Sequence, residues 1–310
     1  MVFKHIPVML KECMEGLQPK DGGIYFDGTL GGGGHSYEIL KLSSPTGKLI
    51  ATDRDSEAIL AATERLKEFQ NRYTIVKSNF KNFIEVLTER NIFGIDGAIL
   101  DLGVSSYQLD NRDRGFSYMA KDTKLDMRMD AGSSFSAYEL INEYSVEKLR
   151  YILSTYGEEK FANNIAKNIV LARKDKPIVT TGELSDICDK SIPYKFKKDG
   201  HPAKKTFQAI RIAVNEELDG LDTAIYDIFS RLNKGGRLVI ITFHSLEDRI
   251  VKTVFNDIEN PCKCNKRYPC ICGKVRQGVE ITKKPITASK EECENNSRSK
   301  CAKLRIIEKL

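Results

Sequence analysis

Three aspartates sit where strand-like runs end, and a glycine-rich turn opens beside the first of them. Ile24-Tyr25-Phe26-Asp27 leads directly into Gly28-Thr29-Leu30-Gly31-Gly32-Gly33-Gly34-His35. Asp53 closes the next apolar run, Leu49–Asp53, and Asp101 stands at the end of Ile95–Leu102. Glycines let a backbone turn tightly and approach a ligand with no side chain in between. The helix that should follow offers unpaired N–H groups and a positive dipole end. A nucleotide-like cofactor is the natural occupant of such a turn. The offset from the glycines to Asp53 also fits a nicotinamide dinucleotide, but an acid at Asp27 would repel a pyrophosphate and attract a cation. Asp53 can accept both hydroxyls of a ribose. Phe80, after the third apolar run, offers an aromatic face to an adenine. Three carboxylates facing one crevice therefore favour the sulfonium of S-adenosylmethionine. The blander alternatives stay open: a plain tight turn, Phe80 as core, and Asp101 as a loop cap.

The elements that must position these groups follow an alternating rhythm. Strand patterns fall at 24–27, 49–53, 73–77 and 95–102, with amphipathic helix patterns between them. Near-continuous apolar strands separated by such helices imply a parallel sheet covered on both faces. The rhythm stops from about 108 to 205, where helix patterns dominate. Ser136 with Glu139 and Thr180 with Glu183 have capping-box spacing there. It resumes with a long amphipathic helix predicted over 206–232, stopped by Gly235-Gly236, then strands at 237–243, 278–283 and 303–309. The expectation from this rhythm is a Rossmann-like α/β fold. Its seven-stranded, mostly parallel sheet is built from residues 1–107 and 206–310, with a helical substrate-recognition domain inserted at 108–205.

Composition narrows the class. The chain is 41% hydrophobic and 30% charged, with no apolar run of membrane-spanning length and no signal-peptide pattern at its start. A cytoplasmic protein with no membrane partner is the expectation. The net charge of +6 permits a phosphate-rich partner without requiring one. Eight cysteines are unevenly spread, and Cys262, Cys264, Cys270 and Cys272 cluster. Two C-x-C pairs could offer four thiolates to zinc, although structural zinc sites more often use wider knuckles. A reduced surface loop with no metal is the favoured reading.

Several further stretches together resemble one family. IYFDGTLGGGGHS at 24–36, LDLGVSS at 100–106, Gln108-Leu109-Asp110, Arg114–Ser117, LDMRMD at 125–130, TFQAIRIAV at 206–214 and FHSLEDR at 243–249 occur in the order of the bacterial RsmH (MraW) family. The resemblance runs nearly end to end. It implies a class I S-adenosylmethionine-dependent methyltransferase fold interrupted by a helical domain, and an enzyme that uses S-adenosylmethionine to methylate N4 of a cytidine in the decoding region of 16S ribosomal RNA, within the assembled small subunit. Carried over by motif, it places cofactor contacts on Gly33, Gly34, His35, Asp53, Phe80, Asp101 and Gln108. For His35, a cap on the following helix is the alternative.

The cytosine amine is a weak nucleophile and must be held in line with the methyl group. Asp101 is the candidate that orients it, because the turn after the fourth strand lacks a proline. His244 could contact the base or be structural. Lys195, Lys197, Lys198, His201, Lys204 and Lys205 cluster around Phe196, a pattern that suits phosphate contact plus stacking, or simply a solvated loop. Lys283, Lys284 and the 298–305 region add positive charge. The helical insertion is expected to wall the cleft that receives an extruded base. A methyltransferase acting on another amine, in DNA or protein, a catalytically idle RNA-binding assembly factor and a nicotinamide oxidoreductase are the competing readings.

Overall fold

A computed structural model describes residues 7–105, 108–109, 111–265, 267 and 271–310, with the side chains of Lys198 and Asp199 excepted. The chain divides into two compact units, Met1–Gly103 with Asp219–Leu310, and Val104–Leu218. The division falls at 103/104 and 218/219, against the expected 107/108 and 205/206.

The first unit is built on one mixed sheet. Its strands are β1 (Ile24–Asp27), β2 (Lys48–Asp53), β3 (Tyr73–Lys77), β4 (Ile95–Asp101), β5 (Leu232–Thr242), β6 (Gly278–Glu280), β7 (Ile286–Thr287) and β8 (Lys303–Lys309). The order is β3-β2-β1-β4-β5-β8-β6, with β7 also on β8. The pairs from β3 through to β5 are parallel, and β8 runs antiparallel to β5, β6 and β7. All seven expected strands are present. The eighth, β7, is two residues long and carries no periodicity that a sequence could reveal. Tyr25, Leu49, Ile99, Val239, Ile241 and Leu304 pack with Ile39 and Leu40 of α2 (Gly34–Leu42) and Leu66 of α3 (Ser56–Leu66). On the other side Phe26 meets Phe83 of α4 (Phe83–Thr88) edge to face at 4.8 Å. Each such buried apolar side chain contributes about 1.5–3 kcal/mol, which fixes the strand tips that the site depends on. The amphipathic α1 (Leu10–Leu17) also joins this core through Cys13, Met14 and Leu17.

The second unit is helical, and its β content among the described residues is one isolated bridge, Lys124 with Thr180. Its helices are α5 (Ala137–Glu143), α6 (Val146–Thr155), α7 (Ala162–Asp175), α8 (Thr181–Ser191) and α9 (Lys204–Asn215). Both expected capping boxes form, at Ser136 with Glu139 and at Thr180 with Glu183. The motif residues of this unit stitch it together. Arg114 donates to the carbonyls of Arg128 and Met129, Arg128 grips Asp126, and the Asn215 amide bridges Met127 O and Met129 N.

The long helix predicted over 206–232 is two helices, α9 and α10 (Leu221–Ser230). Glu216 turns left-handed (φ 51°), Arg211 clamps Glu217 at 2.8 Å, and Gly220 is left-handed as well (φ 67°). The apolar spacing of Phe207 and Ile210 matches that of Ile225 and Ile228 closely enough to hide the break. Phe207, Ala209 and Ile210 belong to the insertion's core, which is why that unit extends to Leu218.

Candidate cofactor site at the strand tips

β1 has neighbours β2 and β4 on its two sides, so the chain reverses its direction of sheet growth there. Crevices beyond the carboxyl ends of strands at such a switch point are where open α/β sheets bind ligands. Asp27, Asp53 and Asp101 are the last residues of β1, β2 and β4. Their charges feel one another: Asp53 raises the pKa of Asp27, and Asp27 raises that of Asp101.

The glycine turn is held by these acids. Gly28 N–H donates to Ile99 O at 3.0 Å, and Leu30 N–H to Thr52 O at 3.0 Å. Gly31 N–H donates to Asp53 Oδ2 at 2.7 Å, while Asp55 N–H donates to Asp53 Oδ1 at 2.9 Å. Gly28 has to be glycine, because a Cβ there would sit 2.4 Å from Leu100 Cδ2 and 2.8 Å from Phe80 Cβ. Gly33 is the N-cap of α2 in a left-handed conformation (φ 73°) that side chains resist. Gly34 opens α2 with the Pro7 ring packed against it. A Cβ on Gly32 would meet nothing within 4 Å, so the turn's outer side is open.

Asp27 differs from the expectation that it meets a cationic ligand. It is 2% exposed, with Oδ1 accepting from Thr29 N–H at 3.0 Å and Oδ2 from Ser36 Oγ at 2.6 Å. Burial pushes its pKa up to about 6, partly offset by those hydrogen bonds. Its carboxylate is committed to shaping the turn. Thr29 also works in the other direction: its Oγ1 accepts from Asp101 N–H at 2.6 Å. Thr29 and Ser36 were not legible as site residues, because lone hydroxyls in a glycine run carry no spacing signal.

Asp101 has the least satisfied acid group. Its Oδ1 is buried and has no hydrogen-bond partner, while the side chain as a whole remains 24% exposed. Burial first, then the charges of Asp27 and Glu247, push its pKa up to about 8. An acceptor left this way costs about 1–3 kcal/mol unless it is protonated or a ligand supplies a donor. His35 lies behind it. The ring is buried, its Nε2 donates to Val8 O at 3.0 Å, and its Nδ1 is 3.9 Å from Asp101 Oδ2. The N-cap of α2 is Gly33, which has no side chain to offer as a cap.

Asp53 is raised in pKa by burial, against the hydrogen bonds from Asp55 and Gly31. Phe80 starts a short 3-10 turn that Asn79 caps by accepting from Lys81 N–H at 3.1 Å. Phe80 is half-buried, leaving part of its ring at the surface. Gln108 belongs to the other unit, where it is buried and its Oε1 accepts from Ser105 N–H at 3.0 Å. Ser106 and Asp110 beside it lie outside the described residues. The structure thus brings Gly33, Gly34, His35, Asp53, Phe80 and Asp101 into one unit, with Gln108 in the other.

His244 has a structural task. It caps α11 (Ser245–Glu259) in a box with Glu247, and its Nε2 stands 3.1 Å from Glu247 Oε1 without hydrogen-bond geometry. The supposed basic region at 298–305 also changes character. Arg305 is buried between Asp248 and Glu280, and Lys303 pairs with Asp248. Arg305's charge is consumed inside the fold, while Lys303 stays partly exposed beside Asp248.

Comparison with known proteins adds the following. The pattern of the MraW methylase family matches residues 2–310. Ribosomal RNA small subunit methyltransferase H of Clostridium botulinum (strain Loch Maree / Type A3) is 57% identical over 311 residues, covering all of both chains. The protein of that name from Lachnospira eligens is 54% identical, across all of this chain and 99% of its own. Ribosomal RNA small subunit methyltransferase H 2 of Agathobacter rectalis is 53% identical over the same shares.

Proposed function

The chain belongs to the MraW methylase family, and from that premise we propose that it is an S-adenosylmethionine-dependent methyltransferase of small-subunit ribosomal RNA. Its target on this reading is the exocyclic N4 amine of a cytidine in the decoding region of 16S ribosomal RNA. Its substrate form is the assembled small subunit, and its site of action the cytoplasm. No helix among the described residues is long and apolar enough to cross a membrane.

The observation that carries the reading is the buried, unpartnered Oδ1 of Asp101 beside an open glycine turn. A cationic ligand with N–H and O–H donors fits that arrangement, whereas a pyrophosphate would meet the acids Asp53 and Asp101 with Asp27 buried behind them. S-adenosylmethionine supplies an electrophilic methyl group on its sulfonium. The chain's own residues do the rest. Asp53 accepts the ribose hydroxyls, the Gly31–Gly34 backbone lies against the nucleoside, and Phe80 gives the adenine a stacking face. Asp101 accepts an N–H of the cytosine amine and draws its nitrogen towards tetrahedral geometry. A carboxyl whose pKa stands at about 8 can also take a proton near neutral pH.

For the RNA, the basic stretch of the insertion supports phosphate contact at Lys195, Lys204 and Lys205, which are exposed. Lys195 Nζ sits 5.0 Å from the Phe196 ring centre. Lys197 is tied to Asp189 at 2.7 Å, and His201 stacks on Tyr118 at 4.5 Å, so these two serve the fold first. The Lys198 side chain lies outside the described residues.

The test uses small subunits from cells that lack the protein, methyl-labelled S-adenosylmethionine and the purified chain. Mass spectrometry should find one N4-methylcytidine in the 16S RNA, with assembled subunits a better substrate than naked RNA. Label on another atom, or none in RNA, overturns the reading.

A further inference from the structure

The loop that joins α11 to β6 has an unusual construction. From 261 to 277, no described residue is buried, and Ile271 and Val275 are 92% and 72% exposed. A segment with no apolar anchor cannot recover the conformational entropy of ordering, about 1–2 kcal/mol per residue. Short segments without a core are ordered by cross-links or metals instead. In this loop three sulfur atoms converge: those of Cys262, Cys264 and Cys272 lie within 4.8 Å of one another. None of the three is in a disulfide. The Cys264 sulfur also faces the backbone N–H groups of Ile271 and Cys272, which suit a thiolate acceptor. Gly273 follows in a left-handed turn (φ 62°) with open space around it, and this turn returns the chain after the second cysteine pair.

We propose that Cys262, Cys264 and Cys272 hold a zinc ion that orders this loop. Tetrahedral zinc with bonds of about 2.3 Å places its sulfurs about 3.8 Å apart, a spacing the cluster reaches with small side-chain adjustment. A disulfide would need only two sulfurs and would leave the third without purpose. Carboxylate-seeking ions such as magnesium or calcium are poorly matched to three thiolates, whereas zinc prefers them. Binding releases the thiol protons to solvent and forms three Zn–S bonds, with no change of oxidation state. The C-x-C spacing is tighter than common zinc knuckles, and the sequence by itself favours a reduced loop. It is the third sulfur, brought back from eight residues further on than Cys264, that changes the balance. The Cys270 thiol lies outside the described residues and is not needed for the three-sulfur site. The fourth position belongs to solvent or to a further thiol.

The experiment uses the full chain, expressed in zinc-supplemented medium and purified without chelator. Elemental analysis should find about one zinc per chain. Cobalt(II) exchanged into the protein should give the sulfur-to-metal charge-transfer bands of a thiolate-rich tetrahedral site. Cys264→Ser should lose the metal, while Cys293→Ser and Cys301→Ser keep it, with all three retaining the far-ultraviolet circular dichroism of the parent. Zinc well below stoichiometric with no cobalt bands overturns the proposal. So does a disulfide among these cysteines in freshly purified protein, or full zinc in a folded Cys264→Ser chain. The cobalt spectrum of the parent chain decides the matter even if a serine variant fails to fold.

Discussion

The glycine turn at 28–35 and the cysteine loop at 261–277 both run outside regular strands, yet they are ordered by opposite means. The turn is held from inside. Its N–H groups end on the carboxylates of Asp27 and Asp53 and on strand carbonyls, and the surrounding sheet keeps those acceptors fixed. The loop has no buried residue among those described and is held, on our proposal, by an ion. A turn fixed by the sheet is preorganised before any ligand arrives, which a catalytic cofactor site needs. A loop fixed by a metal is ordered only while the metal stays. The two regions should therefore respond differently to the same perturbations.

The largest effect is expected at the turn. Asp53→Ala removes the acceptor of the Gly31 and Asp55 N–H groups and of the proposed ribose contact. Hydrogen bonds to a charged acceptor are worth about 1.5–3 kcal/mol each, so affinity for S-adenosylmethionine should fall roughly 100-fold or more. Relief of the buried charge offsets part of the loss of stability, so melting should fall less steeply than affinity. Calorimetric titration measures the first and thermal unfolding the second. Unchanged affinity would mean that the carboxylate serves the turn alone.

Asp101 gives the next effect, through pH. Its pKa is raised from 3.8 to about 8 and that of Asp27 to about 6. A raised carboxyl holds a proton in the folded chain that the unfolded chain has released. Its contribution to stability is therefore full below about pH 4 and is lost as pH climbs towards about 8. A cationic ligand needs that proton gone. Affinity for S-adenosylmethionine should rise between about pH 6 and 8, by up to about tenfold per unit. Asp101→Asn should flatten the slope and cut turnover. A variant with the parent's pH slope, affinity and turnover would remove Asp101 from the mechanism.

Chelation should touch only the other region. Removing zinc should open 261–277 to protease cleavage while leaving the main melting transition within about 2 °C, because the buried core includes no described residue of that stretch. If chelation melts the whole sheet unit, the loop is as central as the turn and the contrast between them fails.

The same contrast explains what could be read in advance. β1, β2, β4 and β5 were legible because each buries a continuous apolar run, and the strand-tip aspartates were legible because the runs of β1, β2 and β4 end in one. The commitment of Asp27 to its own turn was not, since its partners are Thr29 N–H and the Ser36 hydroxyl, and only folding shows which way those point. The break at 216–220 was masked by apolar spacing that continues across it. Arg305 read as surface charge until β8 placed it between Asp248 and Glu280. In each case periodicity reports which face is apolar, and no sequence pattern reports which charge has already found a partner.

That question, whether a charge is committed to its own chain, yields the smallest effect, in the insertion. Lys195 is exposed over Phe196, whereas Lys197 is 23% exposed and paired with Asp189. A lysine that contacts one phosphate contributes about 0.7–0.9 to the slope of log affinity against log salt. Lys195→Ala should reduce that slope by about this amount and weaken RNA binding a few-fold at moderate salt. Lys197→Ala should move both less, because in the free protein its ammonium already has an anion, and an exposed pair is worth at most about 1 kcal/mol. Filter binding over a salt series compares the two variants directly. Equal losses would mean that RNA pulls Lys197 away from Asp189, and no loss in either would take the stretch out of the RNA-binding surface.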